Sequence, residues 1–400
     1  MPNIRLSSPL IYVVWPMARL LPYALGLLAF FAIAAPRGLS AYMALFSLLT
    51  LLCFFKQIDW RAAWHKQRLP LIAFALVALT ALYSPSPRAF EMLRDAAIVA
   101  GSLSILFAAR PFFTRELQEK LLHFFTATLL VAFAYYCRLF VTDFALIRWI
   151  NRIPAAHDVM MTNLPKRPAT LLLLLMWPAA LYLWLHGRRT LATALLLAVS
   201  SALLLFVSRA SMVGAWGGLA LMALALAAPR AGRLVGTAFL TFILPLTLLL
   251  VSSLPWLAPL ISPDLSESGA LRFGIWQTAL RLGHEVWPLG AGLDGSRAFI
   301  PAIPVHPHNA FLQIYLDLGL LGVALTGFFL AVLAQRIRHA APAVQPLLWG
   351  AAASHILVAS IAYGLWQGWW LAGHGTAIFL LALSAGKADK AACLPPNRQP

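Results

Sequence analysis

Charge is scarce in this chain, and acid is the scarcest part of it. Only 11% of the 400 residues are charged, and 13 acids stand against 30 Lys and Arg, for a net charge of +17. Soluble domains run about 25% charged and about 45–50% apolar. Here hydrophobic residues make up 61% and the mean hydropathy is +0.81. So few charges cannot cover a water-facing surface, which excludes two or three soluble domains. The expected fold class is an all-α polytopic membrane protein, because long apolar runs satisfy their backbone in a bilayer as helices. Scarce acid also weighs against a metal, since hard divalent cations need several oxygen ligands. The three cysteines, Cys53, Cys137 and Cys393, show no metal or redox spacing. Walker loops, HExxH and nucleophile elbows are missing. The first 35 residues lack a small-residue cleavage site and read as a retained first span.

What the chain does have is apolar runs of bilayer length, about 20 residues each. The expected spans are 20–35, 38–55, 69–83, 91–109, 120–140, 168–186, 190–207, 211–228, 234–254, 310–334, 345–365 and 369–385, about twelve helices in one membrane domain covering 1–400. The first, third and fourth are the weakest, being short or flanked by charge. With both termini placed in the cytoplasm, seventeen Lys and Arg fall in short inner segments, as the positive-inside rule requires. Twelve fall outside against that rule: Arg37, Arg88, Arg94, Arg138, Arg148, Arg152, Lys166, Arg167, Arg209, Arg272, Arg281 and Arg297. Cations held on the outer face call for an anionic partner there, either an anionic ligand or lipid headgroups; nothing calls for nucleic acid. Two outer segments are long, 141–167 and 255–309. The second, between the ninth and tenth spans, reads as a folded outer subdomain with an amphipathic helix over 270–282.

Four motifs carry candidate chemistry. In His306-Pro307-His308-Asn309, Asn309 suits the N-cap of the tenth span, which sets His308 at a helix N-terminus on the outer surface. The helix dipole disfavours added positive charge there, so a neutral imidazole able to accept a proton is expected. The bland alternative for His308, and still more for His306, is a structural bond to loop backbone. In Ser208-Arg209-Ala210-Ser211 a short turn holds an Arg at the membrane edge, either to bind phosphate or to reach a headgroup. Arg272 and Trp276 share a helical face, either to bind phosphate or to stack on one another. The glycines of 287–295 offer a weak phosphate nest. Gly214 with Gly218, and Gly364 with Gly368, read as helix-packing faces, and His123, His186, His355 and His374 as scattered.

Within the block HPHNAFLQIYLDLGLLG at 306–322, His308-Asn309 is followed, after nine residues, by Gly319-x-x-Gly322. This resembles the O-antigen ligase/polymerase superfamily of bacterial envelope enzymes, as do Ser208-Arg209, Arg272-x-x-x-Trp276 and the Pro-Leu-Gly-x-Gly turn at 288–292. Val323 stands where a further Gly can occur, which leaves ligase or polymerase open, although the length and the single large outer loop favour a ligase. The resemblance covers about 200–325. It implies a GT-C-like glycosyltransferase of the inner membrane with its site facing the periplasm. Such an enzyme moves a glycan from undecaprenyl pyrophosphate to a hydroxyl of the lipid A core in lipopolysaccharide biosynthesis, with inversion and without metal or cofactor. His308 is then the general base, and Arg209 and Arg272 bind the donor pyrophosphate. Arg148, Arg152, Lys166, Arg167, Arg297, His306, Asn309 and Trp276 are the secondary candidates. A polymerase with the same donor is the second enzyme reading, and a flippase of anionic lipid-linked glycans is the non-enzyme reading.

Overall fold

A computed structural model describes residues 17–142, 144–145, 165–205, 208–261, 267–299 and 306–392. Those residues form helices and turns, with no strand among them. In chain order the helices are α1 Leu21–Ala34, α2 Leu39–Phe54, α3 Trp60–Leu79, α4 Ala89–Ala109, α5 Arg115–Val141, α6 Lys166–Leu185 and α7 Arg189–Leu205. There follow α8 Arg209–Ala227, α9 Pro229–Ile261, α10 Glu267–Val286, α11 Ser296–Phe299, α12 Ala310–Arg338, α13 Gln345–Ile361 and α14 Gly368–Ala392. Among the described residues, stretches of α2, α4, α5, α6, α8, α9, α12 and α14 make eight helices long and apolar enough to cross a bilayer. The chain is thus a multi-pass membrane protein. Each expected span falls on a helix, but α1, α7 and α13 have only 14 to 17 residues. Helix α3 starts at Trp60 and takes Arg61, Lys66 and Arg68 into its first half.

Helix α6 is the centre of the bundle. Its run from Leu171 to Leu181 is sealed from the surface, as expected for a helix that is apolar all round. It contacts α1, α5, α7, α8, α13 and α14. Lipid tails are as apolar as Leu, so close packing rather than water exclusion must hold such helices together. Gly218 and Gly350 permit that closeness: a Cβ on Gly218 would lie 2.6 Å from the Gly350 carbonyl, and one on Gly350 2.6 Å from the Trp177 ring. Ser354 then donates across the seam to the Gly214 carbonyl at 2.7 Å. The packing role expected for Gly214 and Gly218 holds. That expected for Gly364 and Gly368 does not: they lie between α13 and the start of α14, where a Cβ would strike His306 or Asp95.

Helix α12 is broken at Gly319, whose φ of 56° and ψ of −141° suit only glycine. The turn 288–292 plugs the break. Leu320 N–H donates to the Pro288 carbonyl, and Ala291 and Gly292 donate to Leu316 and Asp317, each at 2.8 Å. A Cβ on Gly290 would sit 2.5 Å from the Asp317 carbonyl. This corrects the nest reading of the glycines in 287–295: the amides of Gly290, Gly292 and Gly295 are bonded to the carbonyls of Val286, Asp317 and Gly292, so those amides are not open to an anion. The turn after α3 clasps the same loop, with Ser84 donating to the Leu293 carbonyl at 2.7 Å. Helix α9 runs on to Ile261 instead of ending at 254, and the amphipathic helix α10 is longer than 270–282. His355 and His374, expected to be scattered, meet between α13 and α14 with their Nδ1 atoms 2.8 Å apart. Their spacing of 19 residues crosses a turn that breaks helical periodicity.

Candidate active site

The turn 306–309 is held from three directions. Trp276 of α10 donates its indole N–H to the Pro307 carbonyl at 2.7 Å. Asn309 accepts from Leu312 N–H at 3.0 Å, the N-cap its position requires. His308 sits between them with φ at +54°, a conformation uncommon for a residue with a Cβ. Its ring Nδ1 lies 2.9 Å from the Ala362 carbonyl. A carbonyl can only accept, so Nδ1 carries the proton and Nε2 of the neutral ring keeps a lone pair. His306 takes the other tautomer, because its Nδ1 accepts the His308 backbone N–H at 3.1 Å. The two rings lie 4.1 Å apart, centre to centre.

Both rings are held neutral. Burial lowers the His308 pKa, the Ala362 bond opposes it and the Arg272 charge adds to the lowering. His306 is pushed down to about 3, first by burial and then by the charges of His308, Arg272, Arg297 and Arg167. Arg272 and Trp276 are on one face of α10, as expected, but the indole is bonded to the turn that carries His308.

The histidines line a cavity of about 560 Å³ with Arg37, Arg88, Arg167, Arg297 and the turn between α13 and α14. Acid enters the cavity too. Arg88 pairs with Glu91 at 3.0 Å and Asp95 is taken by Arg94 at 2.8 Å, so two of the outer cations are compensated. Arg37, Arg167 and Arg297 form no ion pair with a described residue. Arg167 Nε is buried with no hydrogen-bond partner, and the guanidinium carbon lies 5.7 Å from the centre of the Trp369 ring. A buried donor left unmade costs about 1–3 kcal/mol, more if charged, so this group is set up for an acceptor that enters from the cavity.

The remaining expected residues divide. Lys166 and Arg167 open α6, and the Tyr136 hydroxyl fixes that end by donating to the Pro165 carbonyl. Arg297 lies on α11, just after Ser296, whose N–H donates to Asp317 at 2.8 Å. Half-buried Arg272 is electrostatically coupled to Lys166, Arg209 and both histidines. Arg209 begins α8 and is exposed, outside the cavity lining. Arg148 and Arg152 lie outside the described residues. Tyr363, Gln313 and Asp317 were not singled out by sequence. Asp317 is fully buried and also accepts the Trp366 indole N–H at 2.7 Å. It thereby ties α11 and the cavity wall to α12. A lone acid inside an apolar span is the signal that could have marked it.

The chain matches no protein-family profile. It is similar to a Rickettsia conorii protein named as a candidate polysaccharide ligase, with 28% identity over 156 residues, 32% of this chain and 37% of that protein. A Rickettsia bellii protein of the same name is 31% identical over 85 residues, 20% of each chain. A Rickettsia prowazekii protein, again so named, is 32% identical over 73 residues, 17% of each chain. The chain thus matches less than two-fifths of the length of these relatives.

Proposed function

We propose that this chain is a glycan ligase of the bacterial inner membrane, of the O-antigen ligase kind, that moves a glycan from undecaprenyl pyrophosphate to a hydroxyl of the lipid A core. The observation that carries the reading is the neutral His308, its Nε2 unprotonated, in a cavity walled by Arg37, Arg167 and Arg297. A proton acceptor among fixed cations suits an acid-labile, anionic leaving group. The names of the Rickettsia relatives agree with polysaccharide ligation.

In this mechanism the acceptor hydroxyl attacks the anomeric carbon and gives its proton to His308 Nε2. The bond from that carbon to the phosphate oxygen breaks, and its electron pair leaves with the lipid pyrophosphate. Direct displacement inverts the anomeric centre. The guanidinium groups of Arg167 and Arg297 meet the charge that develops on the leaving group, in a site where such donors need no reorganisation. Burial keeps the base neutral, with a smaller contribution from the charge of Arg272, and Arg272 helps hold the donor. Arg209, at the start of α8, adds positive charge near Arg272, and the cavity faces the periplasm.

The test is transfer in proteoliposomes with purified donor and lipid A core. Transfer to the core with inversion, undiminished by EDTA, supports the reading. Chain extension of lipid-linked glycan instead would make the protein a polymerase. Donor translocation without transfer would make it a flippase and remove the role of His308.

A further inference from the structure

A chain of four hydroxyls runs beneath the cavity wall. Ser208 donates to Ser211 at 2.8 Å, Ser211 lies 2.8 Å from Thr170, and Thr170 lies 3.2 Å from the phenol oxygen of Tyr363. Thr170 is also 2.9 Å from the Lys166 carbonyl. A hydroxyl has one proton, and a carbonyl can only accept. The Thr170 proton is therefore spent on Lys166. Ser211 must donate to Thr170, and so must Tyr363. Tyr363 thus sends its single proton inward, away from the cavity it lines, while burial raises its pKa and keeps the phenol protonated. What it offers to a ligand is a lone pair.

The neighbouring groups complete the pattern. His308 is anchored on the carbonyl of Ala362, the residue before Tyr363, so its Nε2 lone pair belongs to the same wall. Gln313 lines the cavity as well, and its Oε1 accepts the Leu365 N–H at 2.8 Å, which leaves its NH2 end as a donor. Two acceptors and one amide donor, all uncharged, do not suit a phosphate, which wants donors only. They suit a sugar ring, whose hydroxyls both give and take. The cavity thus offers guanidinium donors at Arg37, Arg88, Arg167 and Arg297, carboxylates at Glu91, Asp95 and Asp294, and uncharged groups at Tyr363 and Gln313, with the Tyr363 phenol within electrostatic reach of Arg167.

We infer that Tyr363 and Gln313 form the subsite for the sugar that accepts the glycan, with the Tyr363 phenol oxygen taking a hydrogen bond from a second hydroxyl of that sugar beside the one His308 deprotonates. This rests on the transfer reading proposed above. Tyr363 is a positioning residue in it: it orients the ring so that one hydroxyl faces Nε2.

The experiment is acceptor KM and kcat for wild type, Tyr363→Phe and Thr170→Val in the proteoliposome assay, with inhibition by inorganic pyrophosphate and thermal stability measured alongside. Tyr363→Phe is expected to raise acceptor KM about three- to tenfold, the size of one neutral hydrogen bond, with kcat within about threefold. Pyrophosphate inhibition is expected to stay as in wild type, and the variant to stay folded with a melting temperature slightly lowered by the lost bond to Thr170. Thr170→Val frees the Tyr363 proton to point outward and is expected to raise acceptor KM in a folded protein that keeps the phenol. Unchanged acceptor KM in folded Tyr363→Phe overturns the subsite, as does equal loss of acceptor and pyrophosphate affinity. If wild type transfers nothing, the transfer reading has failed. The subsite is then decided by saturation-transfer NMR with methyl pyranosides: a signal that Tyr363→Phe weakens supports it, and no difference overturns it.

Discussion

His308 gives its Nδ1 proton to the Ala362 carbonyl at 2.9 Å, and that bond selects which ring nitrogen faces the cavity. The tautomer is set by backbone, which no side-chain substitution at 362 removes. His308→Ala should lower transfer about a hundred- to ten-thousandfold, the usual contribution of a positioned base, with the melting temperature close to wild type. A fall of less than threefold in kcat would remove His308 from the chemistry.

The pH dependence follows from the lowered His308 pKa. A base works deprotonated, so activity is present above its pKa and lost as pH falls through it. Burial sets that pKa below 6.5, the ordinary His value. The acid limb of kcat/KM for the acceptor should have its midpoint below pH 6.5. A midpoint above 6.5 would contradict the environment described for His308.

Stability should carry a separate mark of His306. Its pKa is pushed down to about 3 in the fold, against about 6.5 when unfolded. Between these values the unfolded chain binds the extra proton, so the contribution of His306 is fully present above pH 6.5 and declines as pH falls toward 3. Thermal melts in detergent from pH 7 to 4 should fall more steeply for wild type than for His306→Phe. Parallel curves would refute this.

Arg167 Nε is buried with no hydrogen-bond partner among the described residues, so an anion that supplies an acceptor there should stabilise the protein. Pyrophosphate should raise the melting temperature of wild type, and Arg167→Lys should weaken pyrophosphate binding about tenfold or more, since an ammonium cannot reproduce the planar fork. Equal shifts in wild type and Arg167→Lys would mean that the anion binds elsewhere.

The helices were legible because bilayer length and charge punctuation are one-dimensional signals. Asn309 was legible as an N-cap for the same reason: its partner Leu312 is three residues away. The rest of the site is built from contacts that skip most of the chain. His308 meets residue 362, Trp366 meets Asp317, and Ser84 meets Leu293. No local spacing announces such pairs. The glycines of 287–295 misled for a related reason. Their sequence permits a phosphate nest, and only the fold shows that their amides are spent on the end of α10, on the turn itself and on the broken helix α12. The outer cations looked uncompensated because Glu91 and Asp95 lie inside an apolar run, where an acid is not counted as facing the same water.

Asp317 accepts the Trp366 indole with one oxygen and the Ser296 amide with the other, without exposure to solvent. Asp317→Asn keeps the shape but turns one acceptor into a donor that faces an N–H. It should destabilise the protein by about 1–3 kcal/mol and lower transfer, since Arg297 is next to Ser296. A melting temperature and a transfer rate both equal to wild type would show that this tie is dispensable.

The break at Gly319 gives α12 two different solvents. From Ala310 to Gly319 nearly every side chain is enclosed by protein, whereas Leu320, Phe328, Phe329 and Leu333 face outward. One helix therefore has two sets of rules for substitution. A saturation library should show a sharp boundary there. Before it each position is constrained in shape and tolerates few replacements; after it the outward positions accept any residue that lipid accepts.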